Sequence, residues 1–143
     1  MVQKKKKTPY LDRDVSWMFF NRRILQEACR PHVPLLERMS FLGIYSNNLD
    51  EFFRVRVASQ SRIAEYGDKS AAKESEHAKK LIKQISRLNA RYVKEYGEAI
   101  ANITEELRKE NIYLLSNTEI SPEQKEFIYS FYRAKPVSYT HLR

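Results

Sequence analysis

Nine apolar residues, Ala78, Leu81, Ile85, Leu88, Tyr92, Tyr96, Ala99, Ile103 and Leu107, follow one another at steps of three or four with no proline between them. Such spacing keeps one face apolar only at a period of 3.6 residues, so it predicts a single amphipathic helix of about thirty-five residues. Gly97 is its one weak point. At 1.5 Å per residue the rod would extend roughly 50 Å. A helix cannot bury its own stripe, so other helices in the chain must cover this one.

The partner is visible at residues 34–57, where Leu35, Met39, Leu42, Leu49, Phe53 and Val57 fall at steps of three, four or seven. Pro34 suits a helix start, because its missing N–H would have no intrahelical partner there. Asp50 and Glu51 are expected to pair with Arg54 or Arg38. The helix should run over residues 35–65 and stop near Gly67, a fitting C-terminal cap. A first helix is expected to start at Asp14 or Ser16 and to end at Ala28, with Asp12, Asp14 and Ser16 as cap candidates. Its apolar face reads as Trp17, Phe20, Ile24 and Ala28, widened by Met18 and Leu25, and its polar face as Asn21, Arg22 and Arg23. Aromatic residues at helical spacing are expected in the core rather than against a ligand. Between these helices Pro31 and Pro34 enforce a short connector, so the two fold back as neighbours. The fold class is therefore all-α, an antiparallel bundle of three main helices including one long helix.

Only three glycines and five prolines agree with helices rather than a turn-rich sheet. The net charge of +8, from 26 basic and 18 acidic residues, draws polyanions without selecting one. Lys79, Lys80, Lys83, Arg87, Arg91 and Lys94 line one face of the long helix and read as solvated. Lys4 to Lys7 repel one another, and residues 1–9 are expected to form a disordered basic arm. No run approaches membrane-spanning length. Cys29 stands alone, which excludes an internal disulfide, and is expected to be half-buried. His32, His77 and His141 are scattered, without metal-ligand spacing, so no metal site is expected.

No Gly-rich phosphate loop is present. Asp50 and Glu51 are adjacent, hence about 100° apart on a helix, and converge poorly on Mg²⁺. No Ser, Cys or His has a base and an orienting group at recognisable spacing, so no catalytic residue is named. The unusual feature is Ser46-Asn47-Asn48 in mid-helix, three residues that favour local bonds to backbone over helix propagation. Two readings stand: a polar turn or interhelical hydrogen bond, or a carboxamide that meets the edge of a purine with its donor and acceptor.

The segment FLGIYSNNLDEFFRVRVA, preceded by DVSWMFFNRRILQEA, resembles the N-terminal domain of the long, type-one polyphosphate kinases. Two linked motifs in order over about forty-five residues are more specific than a short pattern. The resemblance covers the chain to about residue 133. It implies that Asn48, the second Asn of the Ser-Asn-Asn-Leu-Asp-Glu-Phe run, contributes to adenine nucleotide binding, and it leaves the part of Asn47 open. It implies an enzyme that reversibly transfers the γ-phosphate of ATP to inorganic polyphosphate through a phosphohistidine. The catalytic histidines and Mg²⁺ would lie in domains beyond this segment, so the segment alone should be inactive. It further implies a homo-oligomer in the cytoplasm, free or peripheral to the inner membrane. The division expected is a helical domain over residues 10–110 and the beginning of a mixed α/β domain over 111–133. There residues 111–115 read as a short extended run, and Ser121, Pro122 and Gln124 as a capped helix start. Residues 134–143 are expected to be a truncated end or a non-native tail. The alternative is a stand-alone basic helical module binding nucleic acid or a partner helix.

Overall fold

A computed structural model describes residues 10–66 and 72–134. The basic arm, Gly67, His141 and the tail beyond residue 134 lie outside the described residues. Five α-helices are present among the rest: α1 Arg13–Ala28, α2 Leu35–Phe52, α3 Ala58–Tyr66, α4 Ala72–Lys109 and α5 Pro122–Ala134. A π-helical turn, Phe53–Val57, joins α2 to α3 without a break, and no strand occurs among the described residues.

The order of cross-helix contacts gives the topology. From α1 to the α2–α3 rod, Ala28 meets Arg38, Asn21 meets Tyr45, Trp17 meets Phe52 and Asp14 meets Arg56, so the two run antiparallel. From that rod to α4, Arg38 meets Glu106, Tyr45 meets Tyr96 and Ala64 meets Ser75, again antiparallel. The result is the expected antiparallel bundle of three main helical rods, with α1, α2–α3 and α4 mutually packed.

On α4 the residues at the predicted spacing are the core: Ala78, Leu81, Ile85, Tyr92, Ala99, Ile103 and Leu107 are buried, with Leu88 and Tyr96 packed beside them. Burying a Leu or Ile side chain contributes about 1.5–3 kcal/mol, which outweighs the weak propensity of Gly97. The helix closes with Asn111 in the left-handed region at φ 60°. There the N–H of Ile112 reaches the carbonyl of Leu107, and that of Asn111 reaches Arg108. This paired arrangement satisfies carbonyls that a helix end leaves bare.

Helix α1 departs from the sequence reading. Its N-cap is Asp12, whose carboxylate accepts the N–H of Asp14 at 2.8 Å. Its buried residues are Asp14, Val15, Met18, Asn21, Leu25 and Ala28; of the predicted apolar face Trp17 and Ile24 pack partly buried against the core and only Phe20 falls outside it. Phe20 is 58% exposed, whereas Asn21, assigned to the polar face, is 1% exposed. Step counting admitted both faces, and the neighbouring helices chose the one whose polar members they could bond. Arg22 is half-buried, making a bidentate pair with Glu95 of α4 at 2.8 and 3.2 Å.

Two further corrections concern the connector. Arg38 does not pair with Asp50 or Glu51. Its buried guanidinium donates to the carbonyl of Ala28 at 2.8 Å and to both carboxylate oxygens of Glu106. Asp50 does pair with Arg54, at 2.9 Å. Cys29 is exposed rather than half-buried. Residues 112–116 show no strand pairing, and α5 begins with the predicted reciprocal cap, in which Ser121 and Gln124 each bond the other's backbone N–H. No residue of α5 is buried.

Candidate functional site

The site is built where α1 crosses the end of α2 and the π turn. In that turn the N–H of Ala58 reaches back five residues to Phe53. One wide turn of this kind rotates the following side chains relative to an unbroken helix, and such turns recur at functional sites. After it, Arg56 faces α1 and donates to Asp14 Oδ1 from Nε at 3.0 Å and from Nη2 at 2.8 Å, while Gln60 approaches Oδ2 at 3.5 Å. Burial of Asp14, and next the Asp12 carboxylate, push its carboxyl above the ordinary value. The Arg13 charge and the Gln60 hydrogen bond oppose that shift without cancelling it. The exchange ties the start of α1 to the π turn.

Beside this tie lies an open groove of about 410 Å³ lined by Trp17, Phe20, Asn48, Glu51, Phe52, Val55 and Arg56. That falls in the roughly 300–1,000 Å³ range of small-molecule sites. Trp17 stacks on buried Phe52, with ring centroids 4.1 Å apart and planes within 2°. The groove thus has an aromatic wall, with the Asn48 carboxamide and the charged Glu51 and Arg56 among its lining. Hollows of similar size at the opposite end of the bundle, about 380 and 430 Å³, are walled by the Arg38–Glu106 pair and Lys109 and contain no Trp, Tyr or Phe. A flat ring would find no stacking partner there.

Asn48 is half-buried, and its Nδ2 donates to Asn21 Oδ1 across the helix interface at 3.2 Å. Asn21 in turn donates from Nδ2 to the main-chain oxygen of Tyr45 at 3.1 Å. Asn48 makes no other side-chain hydrogen bond among the described residues. An Asn carboxamide carries two N–H donors and an oxygen acceptor, so one donor and the oxygen remain for a ligand. The two readings of Asn48 from sequence are therefore compatible: it bonds between helices and still faces a groove. Asn47 and Ser46 point to solvent and take no part in it.

Neither described histidine lines the groove, and His141 lies outside the described residues. His32 sits in the connector, and His77 lies 3.5 Å from Asp12 with an exposed ring. Among the described residues no three His, Cys, Asp or Glu side chains are grouped to hold a metal ion. No described helix is long and apolar enough to cross a membrane. Sequence reasoning missed Asn21, Asp14 and Arg56 as members of the site. A signal existed for Asn21: it stands three residues after Met18 and four before Leu25, a polar residue in an apolar register.

Trp17 occupies a place between the two roles weighed for it, partly buried against the core and partly open to the groove. Trp17→Ala should therefore cost about 2 kcal/mol of stability by chemical denaturation, below the roughly 3–5 kcal/mol of a fully buried aromatic. A loss beyond that range would show that the ring is core and that the groove is closed in solution.

The family model described as the polyphosphate kinase N-terminal domain matches residues 10–115. Among similar proteins, the polyphosphate kinase of Yersinia pestis is 36% identical over 125 residues, covering 87% of this chain and 18% of that protein. Those of Vibrio parahaemolyticus and Escherichia coli K12 are each 32% identical over 124 residues, with the same coverage of 87% and 18%. The chain thus spans less than a fifth of the length of the relatives it matches, and no solved structure matches it. With the family match running unbroken across α1, the α2–α3 rod and α4, the chain belongs to the polyphosphate kinase N-terminal domain family.

Proposed function

We propose that this chain is the N-terminal part of a polyphosphate kinase and that its groove receives the base of an adenine nucleotide. The observation that carries this reading is the Asn48 carboxamide, held by one N–H while its remaining edge lines a groove with an aromatic wall. Stacking on a π-face combined with a donor–acceptor edge is the chemistry that recognises a purine.

The groove suits a base better than phosphates. It contains the Glu51 carboxylate, and its one guanidinium, Arg56, is committed to Asp14. Neither a Gly-rich cradle nor a cluster of cations is present in its lining. The described residues do not fit Mg²⁺: Asp50 is paired with Arg54, and Glu51 stands apart from it in the groove. Phosphoryl transfer needs dense positive charge around the moving group. The transfer of the ATP γ-phosphate to polyphosphate through a phosphohistidine, with its Mg²⁺, belongs in this reading to domains outside this segment. The segment alone is then inactive, and residues from 111 onward begin the next domain. A homo-oligomeric, cytoplasmic enzyme follows from the same family reading.

In the full-length kinase carrying this domain, Asn48→Ala should lower kcat/KM for ATP by about 5- to 150-fold, the equivalent of the roughly 1–3 kcal/mol lost with a bound polar partner. The bundle should still fold, with a thermal midpoint somewhat below that of the parent because the buried Asn21 oxygen loses its donor. Steady-state kinetics with KM and kcat both unchanged would remove Asn48 from the nucleotide site. The alternative of a stand-alone basic module rests on charge and amphipathicity, and selective binding of nucleic acid that ignores Asn48 would favour it.

A further inference from the structure

We propose that Asn21 is a positioning residue for Asn48, fixing which edge of the Asn48 carboxamide is shown to the purine. The proposal rests on the nucleotide reading of Asn48 given above and adds to it a second residue and a source of base selectivity.

Asn21 is 1% exposed and lies on the core face of α1, between Met18 and Leu25. A carboxamide at such a place is costly unless both of its ends are bonded. Both are. Its Nδ2 donates to the Tyr45 carbonyl oxygen and its Oδ1 accepts from Asn48 Nδ2. The Tyr45 carbonyl can only accept, so it determines the orientation of Asn21: the nitrogen must face Tyr45 and the oxygen must face Asn48. An oxygen facing Asn48 can only accept, so Asn48 must offer it an N–H. The direction of each bond therefore follows from a main-chain atom that cannot change its role.

This chain of bonds has a consequence in the groove. The proposal requires Asn21 to take the N–H anti to the Asn48 oxygen; the oxygen and the remaining syn N–H then lie side by side on one edge of the carboxamide. Such an edge pairs with adenine, whose exocyclic N6 amine donates and whose N7 accepts. Guanine presents O6 and N7, two acceptors, so the oxygen of a fixed Asn48 would oppose one of them. An Asn48 free to rotate would lose part of this discrimination. Asn21 does not line the groove itself, so its influence on the base passes through Asn48.

The test uses the full-length kinase with ATP and GTP as separate substrates. Asn21→Leu has similar volume and removes both bonds. It should raise the KM for ATP about tenfold, equivalent to 1.4 kcal/mol, while that for GTP changes less, so that the GTP-to-ATP ratio of KM falls. In the double variant with Asn48→Ala, the Asn21→Leu effect on KM should vanish, because Asn48 carries it. A role confined to stability would lower the melting temperature and leave the ratio of the two KM values unchanged. Asn21→Ser, whose hydroxyl is too short to reach Asn48 and disturbs the core less, replaces Asn21→Leu should that variant fail to fold. If Asn48→Ala raises the KM for ATP and the Asn21 variants leave the ratio at the parental value, the positioning role is overturned and the Asn48 reading stands. If Asn48→Ala itself has no effect, both are overturned.

Discussion

Tyr92→Ala should lower the stability of the bundle by about 3–5 kcal/mol, the cost of truncating a fully buried aromatic ring. Tyr92 has no exposed surface and is the largest fully buried side chain in the core. It lies midway along α4, and its ring is approached by the guanidinium of Arg22 at 5.4 Å and that of Arg91 at 5.1 Å. Arg22 comes from α1, so removing the ring also loosens the contact between α1 and α4. A cation over an aromatic face contributes about 0.5–2 kcal/mol, depending on how far it is desolvated. Tyr92→Phe keeps the ring and loses only the hydroxyl, which accepts from Arg91 at 3.3 Å. It should cost about 1 kcal/mol, as one hydrogen bond does. Denaturant melts of the three forms separate the terms. An alanine variant within 1 kcal/mol of its parent, on the scale of an ordinary surface change, would contradict the packing described for α4.

Arg38→Ala should cost roughly 3 kcal/mol, because one side chain holds three segments together and its loss strands two partners. The guanidinium is buried, it caps the carbonyl of Ala28 at the end of α1, and it forms a bidentate pair with Glu106 near the end of α4. Hydrogen bonding from Arg38 is the main cause holding the Glu106 carboxyl below its ordinary value of 4.5. A carboxyl whose value is depressed by folding contributes stability that is present above its unfolded value and is lost as pH falls through its folded one. The stability difference between parent and Arg38→Ala should therefore be full at neutral pH and shrink below about 4.5, where Glu106 takes up a proton. Glu106 is half-exposed, so the acid-sensitive part is the smaller share and the lost Ala28 contact persists at every pH. A penalty that does not change between pH 7 and pH 3 would show that the Glu106 pair contributes nothing. A penalty absent at neutral pH would overturn the role of Arg38 itself.

Both variants separate what a sequence can show from what it cannot. Tyr92 belongs to the stripe on α4, and every member of that stripe is buried or packed beside the core. Arg38 gave no such signal. Its partners are ten and sixty-eight residues away in the chain, and local spacing favoured an acidic neighbour on its own helix. The same division holds in the groove. Asn48 was marked by an unfavoured run in mid-helix and by the family motif around it, whereas Asn21, Asp14 and Arg56 join the site through bonds between residues 27 to 46 positions apart.

Periodicity, capping residues and the placement of prolines determined the helices, the long rod of α4 and the reciprocal cap of α5. Those are short-range properties, because a turn of helix brings together only residues three or four apart. The tertiary structure decided which face of α1 is inward, where Arg38 is anchored and how Asn48 is held. On α1 the apolar residues alone fit two overlapping stripes. Asp14 and Asn21 could go inside only because Arg56, Tyr45 and Asn48 wait opposite with bonds to offer. A buried polar group is tolerated where its partner already stands, and that partner is a matter of space rather than of sequence order.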